Sequence, residues 1–273
     1  GTNSSGIGAD TSGNDNHLAV TNLTAGNIVD DTPTNNFATI NDLAPSRLDG
    51  DIAASRGSAV VTEGDLKVTA IASDNDTFCR VATMGVSSGK WYWEIKIPTK
   101  ARAESGIAIA NEILDYSQHY NNETNPNVIG VNQGGNIYGA GGEDYDDYEN
   151  FAPDLSDNDI VMWALDMDNY ELWYGINGTW ADSGDPTSGA TGTGGIINQT
   201  SNAYRTKMNH GELMYPFISD FSQSGSVHYE VNFGNPTFSI SSGNSDSAGY
   251  GNFEYAVPSG YYALCTKNLA KFG

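Results

Sequence analysis

The stretch "SGKWYWEIKIP", Ser88 to Pro98, decides how the chain folds. Trp91, Trp93, Ile95 and Ile97 occupy one parity, and Lys90, Tyr92, Glu94 and Lys96 the other. An extended strand sends alternate side chains to opposite faces, so both indoles point the same way together with two isoleucines. Two tryptophans this close could be a sugar-stacking platform, a nucleic-acid platform or plain core. A sugar platform would be flanked by exposed polar groups, whereas isoleucine neighbours mean burial. The stretch therefore reads as a core strand, and its tryptophans as structural.

The same alternation recurs downstream. In "DNDIVMWALDMDNYELWYGINGTW", Asp157 to Trp180, Val161, Trp163, Leu165 and Met167 share a face. Asp168-Asn169 offers a turn, and Tyr170, Leu172, Tyr174 and Ile176 alternate on the return strand. Asn177-Gly178 is a second turn signal, because both residues tolerate positive φ. "SGIAIA" (105–110), "NVIGVNQGGNIYG" (127–139), "MYPFIS" (214–219), "SVHYEVNFG" (226–234) and "GYYALCTKNL" (260–269) supply further strands, and only "NEILDYSQHY" (111–120) hints at a helical turn. Short alternating runs between Gly, Asn and Asp clusters are the pattern of an all-β, antiparallel, jelly-roll-like sandwich. It is expected over residues 57–273, with residues 1–56 as an extended linker or clamp. In that first segment apolar residues stand singly among Asn, Asp, Thr and Ser. Such a passage, opening on Gly1, is expected to belong to a longer polypeptide. Two long loops, 181–210 and 243–252, are polar and read as functional or mobile.

Thirty-four acidic against 12 basic residues give a net charge of −22. A surface so negative repels phosphate backbones and anionic lipid, so neither nucleic-acid binding nor membrane docking is expected. No run of eighteen apolar residues is present. Cys79 and Cys265 are too few for a disulfide framework, and two buried thiols are expected in preference to a pair.

Catalytic patterns are weak. "GVSSG" (85–89) fits Gly-x-Ser-x-Gly, but a strand follows where a nucleophile elbow needs a helix, so a hairpin turn is the reading. His17, His119, His210 and His228 are scattered, without metal or triad spacing. Glycoside hydrolysis needs two carboxylates across a cleft, and no Glu-x-Asp-x-x-Glu strand pattern supplies them. The protein is not expected to be an enzyme, with a polysaccharide depolymerase as the outlying alternative.

Recognition is the better-supported expectation. "GGEDYDDYENF" (141–151) interleaves Glu143, Asp144, Asp146 and Asp147 with Tyr145 and Tyr148. Clustered carboxylates could hold Ca²⁺, and the tyrosines could present faces and hydroxyls to a glycan; a solvated connection is the plainer alternative. Trp180, at the mouth of the long loop, and Tyr120 and Tyr138, expected on loops, complete the candidate ligand-binding set. Apart from that Ca²⁺, no cofactor is expected.

The order of motifs resembles the SPRY (B30.2-like) sandwich, a concanavalin-like jelly-roll variant. The matching pieces are Gly89-Lys90-Trp91-Tyr92-Trp93-Glu94, Gly106-Ile107-Ala108, Asp159-Ile160-Val161 with Leu165-Asp166-Met167-Asp168, Asn177-Gly178, Tyr215-Pro216-Phe217 and Val231-Asn232-Phe233-Gly234. A narrower set, "DTSGNDNHLAVTNL", "DDTPTNNFATIND", "GDLKVTA", "SSGKWYWEI" and "AVPSGYYALCTKNL", is similar to structural proteins of tailed bacteriophages, marine ones in particular. That resemblance implies a virion component on the particle surface, a fibre or appendage module that attaches to the host surface, glycan being the receptor class it points to. It also implies other virion subunits as partners and a homo-oligomer. A capsid or tail decoration protein with an architectural role is the alternative. The 181–210 loop and the Tyr-rich acidic segment depart from the pattern, so no known binding surface is carried over.

Overall fold

Lys90–Thr99 is a ten-residue strand, the sixth in chain order (β6), and it lies in the middle of the larger of two packed sheets. The structure, a computed structural model, describes residues 2–3, 6–10, 12–14, 16–21, 31–43, 58–71, 77–101, 103–109, 128–139, 150–199, 205, 208–221 and 227–273. Before β6 come β1 (Thr2–Asn3), β2 (Gly6–Ile7), β3 (Ser58–Thr62), β4 (Lys67–Ile71) and β5 (Thr77–Val81). After it come β7 (Ala103–Ile109), β8 (Val128–Asn132), β9 (Ile137–Gly139), β10 (Asp159–Asp166), β11 (Glu171–Ile176) and β12 (Thr179–Trp180). The last strands are β13 (Met214–Phe221), β14 (His228–Asn232) and β15 (Tyr262–Ala263), with short helices α1 (Ile196–Gln199) and α2 (Thr266–Phe272).

The larger sheet runs β12-β11-β10-β6-β14-β4-β3, and the smaller β5-β13-β7-β8-β9. Pairing is antiparallel throughout, except that β15 joins β6 in parallel. Between the sheets lies one apolar core. Trp91, Trp93, Ile95 and Ile97 of β6 meet Val161, Trp163 and Leu165 of β10, Leu172 and Tyr174 of β11, and Ile107, Ile129, Val131 and Ile218 of the opposite sheet. Both indoles are fully buried, as the parity requires. Trp93, Trp163 and Tyr174 sit opposite one another across three neighbouring strands. The Trp93 and Trp163 rings stack at 6.1 Å, and Tyr174 meets Trp163 edge-on at 4.9 Å. Offset and edge-on contacts of this kind add about 0.5–1.5 kcal/mol each beyond buried area. The Trp163 indole also donates to Ser105 Oγ on the facing sheet at 3.1 Å. Close approach of β7 and β8 requires Gly106: a Cβ there would lie 2.1 Å from the carbonyl oxygen of Ile129.

The fold is therefore the mostly antiparallel β-sandwich expected, with local differences. The final run, expected as a strand over 260–269, pairs only at Tyr262–Ala263 and then turns into α2. Cys265, a buried free thiol, stands at the N-cap position of that helix without a side-chain capping bond. "GVSSG" is the turn into β6, where Ser88 offers its carbonyl to the Trp91 indole at 2.7 Å.

The N-terminal segment does more than lead into the sandwich. Phe37, Ala38 and Ile40 are buried in the chain's own core. Ala38 N–H donates to Leu264 O, Thr266 N–H to Asn36 O, and Ile40 N–H to Asp65 O. Residues 31–43 thus clasp the C-terminal run and the β3–β4 turn of the same molecule. The hint of helix at 111–120 lies outside the described residues.

The largest departure concerns the other face of β6. Tyr92 and Glu94, on the parity that reads as solvent-facing, are both fully buried. A second apolar cluster covers them: Phe37, Met162, Ala164, Trp173, Phe253, Tyr261 and Ala263. The C-terminal residues from Asn235 onward and the start of the long loop form a third layer over the larger sheet, and this covering positions the candidate site.

Candidate functional site

At one edge of the larger sheet, the β11–β12 turn gathers aromatic and polar groups. Asn177 and Gly178 both have positive φ, 48° and 85°, the geometry that matches hairpin twist. Glycine is needed at 178 for a second reason: a Cβ there would meet the Tyr255 ring at 3.0 Å. Asn177 Oδ1 accepts from Ile160 N–H at 2.9 Å, and its Nδ2 donates to Asp159 Oδ1 at 2.7 Å. The turn is thereby fastened to β10. Asn177→Ala removes both bonds and the residue best suited to positive φ, so a loss of about 1–2 kcal/mol is expected, read from the denaturation midpoint.

Just beyond the turn, Trp180 is partly exposed and meets the buried Tyr92 ring edge-on at 6.5 Å. Tyr92 in turn meets Phe253 edge-on at 5.0 Å. Tyr255, also partly exposed, packs on the same cluster. Burial, and then the charges of Glu254, Glu94 and Asp159, push the Tyr255 hydroxyl above its ordinary pKa, so it stays a neutral donor at physiological pH. Trp180, Tyr255, Asn177 and Asp159 therefore form a rim of aromatic faces and fixed polar groups around one turn.

Beneath this rim lies Glu94. Its Oε1 accepts from the Tyr92 hydroxyl (2.8 Å) and Tyr255 N–H (2.8 Å). Its Oε2 accepts from Asn232 Nδ2 (3.2 Å) and Glu254 N–H (2.9 Å). Burial raises its pKa despite these four donors. Burial raises the Tyr92 hydroxyl further, helped by the Glu94 charge. With every oxygen engaged, Glu94 ties residues 254–255 to the sheet and has no free acceptor for a substrate.

The 181–210 loop, expected to be functional or mobile, is folded where it is described. It runs through 3₁₀ turns at Ala181–Ser183 and Pro186–Thr191 into α1. Ile196 and Ile197 are buried in the main core. Trp173 Nε1 donates to Thr193 O at 2.8 Å, and the Tyr261 hydroxyl to Pro186 O at 2.9 Å. The buried carboxylate of Glu171 takes Ile197 N–H at 2.6 Å and Leu172 N–H at 3.0 Å, and pairs with Arg205 at 3.2 Å. Burial pushes its pKa up to about 7, against the lowering by these donors and Arg205. Its cross-strand neighbour Asp166, also buried, pairs with Lys90 at 2.7 Å. Asp166, the last residue of β10, accepts from Asp168 N–H and Asn169 N–H of the following turn at 3.0 Å. The 243–252 loop is likewise ordered: Asp246 accepts from Ala248, Tyr250 and Ala263 N–H and from Asn268 Nδ2.

Of the residues singled out from sequence, Trp180 stands in the rim. Tyr138, expected on a loop, belongs to β9 at an edge of the smaller sheet. Tyr120, Tyr145, Tyr148, Glu143, Asp144, Asp146 and Asp147 lie outside the described residues. Among the described residues no three His, Cys, Asp or Glu side chains converge as a metal site, and no helix is long and apolar enough to cross a membrane. Tyr255, Glu94, Glu171 and Arg205 carry the local architecture without having been singled out. The available signal was Tyr92 and Trp173, bulky aromatics on parities that otherwise read as exposed.

No protein-family model matches the chain, and no curated protein matches it in sequence. Among solved structures it is similar to the SPRY domain of human HERC1, with a TM-score of 0.41 and 15% identity, over 63% of this chain and 91% of that one. A second human SPRY domain gives 0.41 and 14%, over 63% of this chain and 94% of that one. The sandwich rests on its own sheets and registers, and no residue role is carried over from those domains.

Proposed function

We propose that the protein is a non-enzymatic recognition module of a bacteriophage virion, a surface-exposed fibre or appendage sandwich that holds a host-surface glycan at the rim around Trp180. The observation that carries the glycan reading is the rim itself. It places two partly exposed aromatic rings, Trp180 and Tyr255, beside a turn whose Asn177 and Asp159 side chains are fixed by hydrogen bonds. Sugars present apolar ring faces and many hydroxyls, and such a mixture of flat aromatics and preoriented polar groups suits them. The net charge of −22 favours neutral over acidic sugars. The virion context rests on the sequence resemblance alone. Monovalent binding would be weak and raised by display in several copies.

The test is a glycan array probed with the multimerised domain. Binding to at least one neutral glycan is expected, falling at least tenfold in Trp180→Ala while the thermal midpoint moves little, since the ring is only partly buried. An array without signal, or a Trp180→Ala variant that binds as well as the parent, would overturn the glycan reading.

A further inference from the structure

The edges of the two sheets are not treated alike. On the smaller sheet, β9 is three residues long, and the chain itself covers the C-terminal end of β5. There Asn41 N–H donates to Val81 O, Thr83 N–H to Thr39 O, and Ile40 bridges Ala82. On the larger sheet, β12 has only two residues and runs straight into a 3₁₀ turn. These are the devices by which sheets avoid edge-to-edge pairing: short strands and covered edges.

The fourth edge, β3, has none of them among the described residues. It is five residues of regular antiparallel ladder, Ser58-Ala59-Val60-Val61-Thr62, without proline, charge or bulge. Among the described residues it pairs with β4 alone. Ala59 and Val61 pack on the core, while Val60 turns outward and is 48% exposed, one of only four large apolar side chains so exposed among the described residues. At its C-terminal end the strand runs into a turn bearing two exposed carboxylates, Glu63 and Asp65. The nearby cation, Lys67, is already held by Glu230 at 3.1 Å.

We propose that the β3 edge is a docking site for an extended segment of another protein, which adds to the larger sheet as an antiparallel strand and carries Lys or Arg at its N-terminal end. Antiparallel addition sets the guest's N-terminal end beside Thr62 and Glu63, so a cation there meets Glu63 and Asp65, while a β-branched residue covers Val60. A second copy of this chain is the poorer guest, because each copy carries a net charge of −22. The edge lies at the opposite end of the sheet order from β12 and Trp180. One edge is thus left for a protein neighbour, independently of what the rim binds.

The test uses the full chain, isotopically labelled, titrated with the synthetic peptide Lys-Lys-Val-Thr-Val-Thr and with its Glu-Glu-Val-Thr-Val-Thr counterpart. Saturable amide shift changes centred on residues 59–62 are expected with the basic peptide. The affinity should drop at least tenfold with the acidic peptide or in 0.5 M salt. Val60→Lys should abolish the response, and Val60→Thr, which keeps a β-branched side chain, should retain it; the position is half-exposed, so the folded spectrum serves as control. No response at 59–62, an equal response to both peptides, or an unaffected Val60→Lys variant would overturn the proposal. So would concentration-dependent self-association that Val60→Lys removes, which would assign the edge to a second copy.

Discussion

Replacing Glu94 with alanine is expected to lower stability by about 3–5 kcal/mol and the thermal midpoint by about 8–15 °C. The reason is the number of donors that converge on one buried carboxylate. Without it, the Tyr92 hydroxyl and the N–H groups of Glu254 and Tyr255 lose their acceptor under a layer of aromatic side chains, and Asn232 Nδ2 keeps only Asn252 O. An unsatisfied buried donor costs about 1–3 kcal/mol. Removing Glu94 also removes the cost of burying its charge, which its raised pKa reports, and this offsets part of the loss. The donors win because they are several and the charge is one. Glu94→Gln keeps the shape but turns an NH₂ group toward donors on whichever side it takes, so it too is destabilising, by less than alanine. Chemical denaturation of the three proteins checks the order. A Glu94→Ala variant within about 1 kcal/mol of the parent would mean that water replaces the carboxylate and that the 254–255 segment is not held by it.

The fate of Glu94 also shows what the sequence could and could not convey. Parity assigns the inner face of β6, β10 and β11 correctly, because burial between two sheets leaves a period-two pattern that any window of a strand displays. The outer face left no such pattern. Glu94, Asp166 and Glu171 are charged, and charge in a strand reads as solvent exposure. Their burial depends on partners distant in the chain: Glu254 and Tyr255 lie about 160 residues beyond Glu94, and Asn232 138 beyond it. A single carboxylate with four donors satisfies itself in a way that composition cannot show. The long loop hides its seating for the same reason. Its Thr, Gly and Asp content is that of a mobile segment, yet two isoleucines, one indole bond and one buried glutamate suffice to seat it. In the rim, the Asn-Gly turn and Trp180 were legible as local signals. Tyr255 was not, because it reaches the turn from the opposite end of the chain.

The seating of that loop should depend on pH, and Glu171→Gln should remove the dependence. Glu171 has its pKa lifted from 4.5 to about 7 in the closed arrangement, chiefly by burial. Two forces compete there. Arg205, Ile197 N–H and Leu172 N–H favour the carboxylate, whereas loss of water favours the acid, and the neighbouring Asp166 charge is itself engaged by Lys90. A raised pKa means that the closed loop binds a proton more tightly than the open one. Closure is therefore favoured most below about pH 4.5, weakens as pH rises toward 7, and is weakest above it. The span corresponds to about 3 kcal/mol, or a rise of about two to three orders of magnitude in the open fraction. Hydrogen exchange at the Ile197 amide and the Trp173 indole, corrected for intrinsic exchange, reads that fraction directly, since both protons are used to hold the loop. Glu171→Gln should give a flat profile from pH 5 to 8, with closure close to that of the parent at low pH. Its oxygen can still accept the two backbone bonds, and Arg205 keeps Asn169 O and Asn198 Oδ1. Exchange in the parent that does not change across this range would show that Arg205 and the backbone donors offset burial, and a pH profile that survives in Glu171→Gln would assign the dependence to another group.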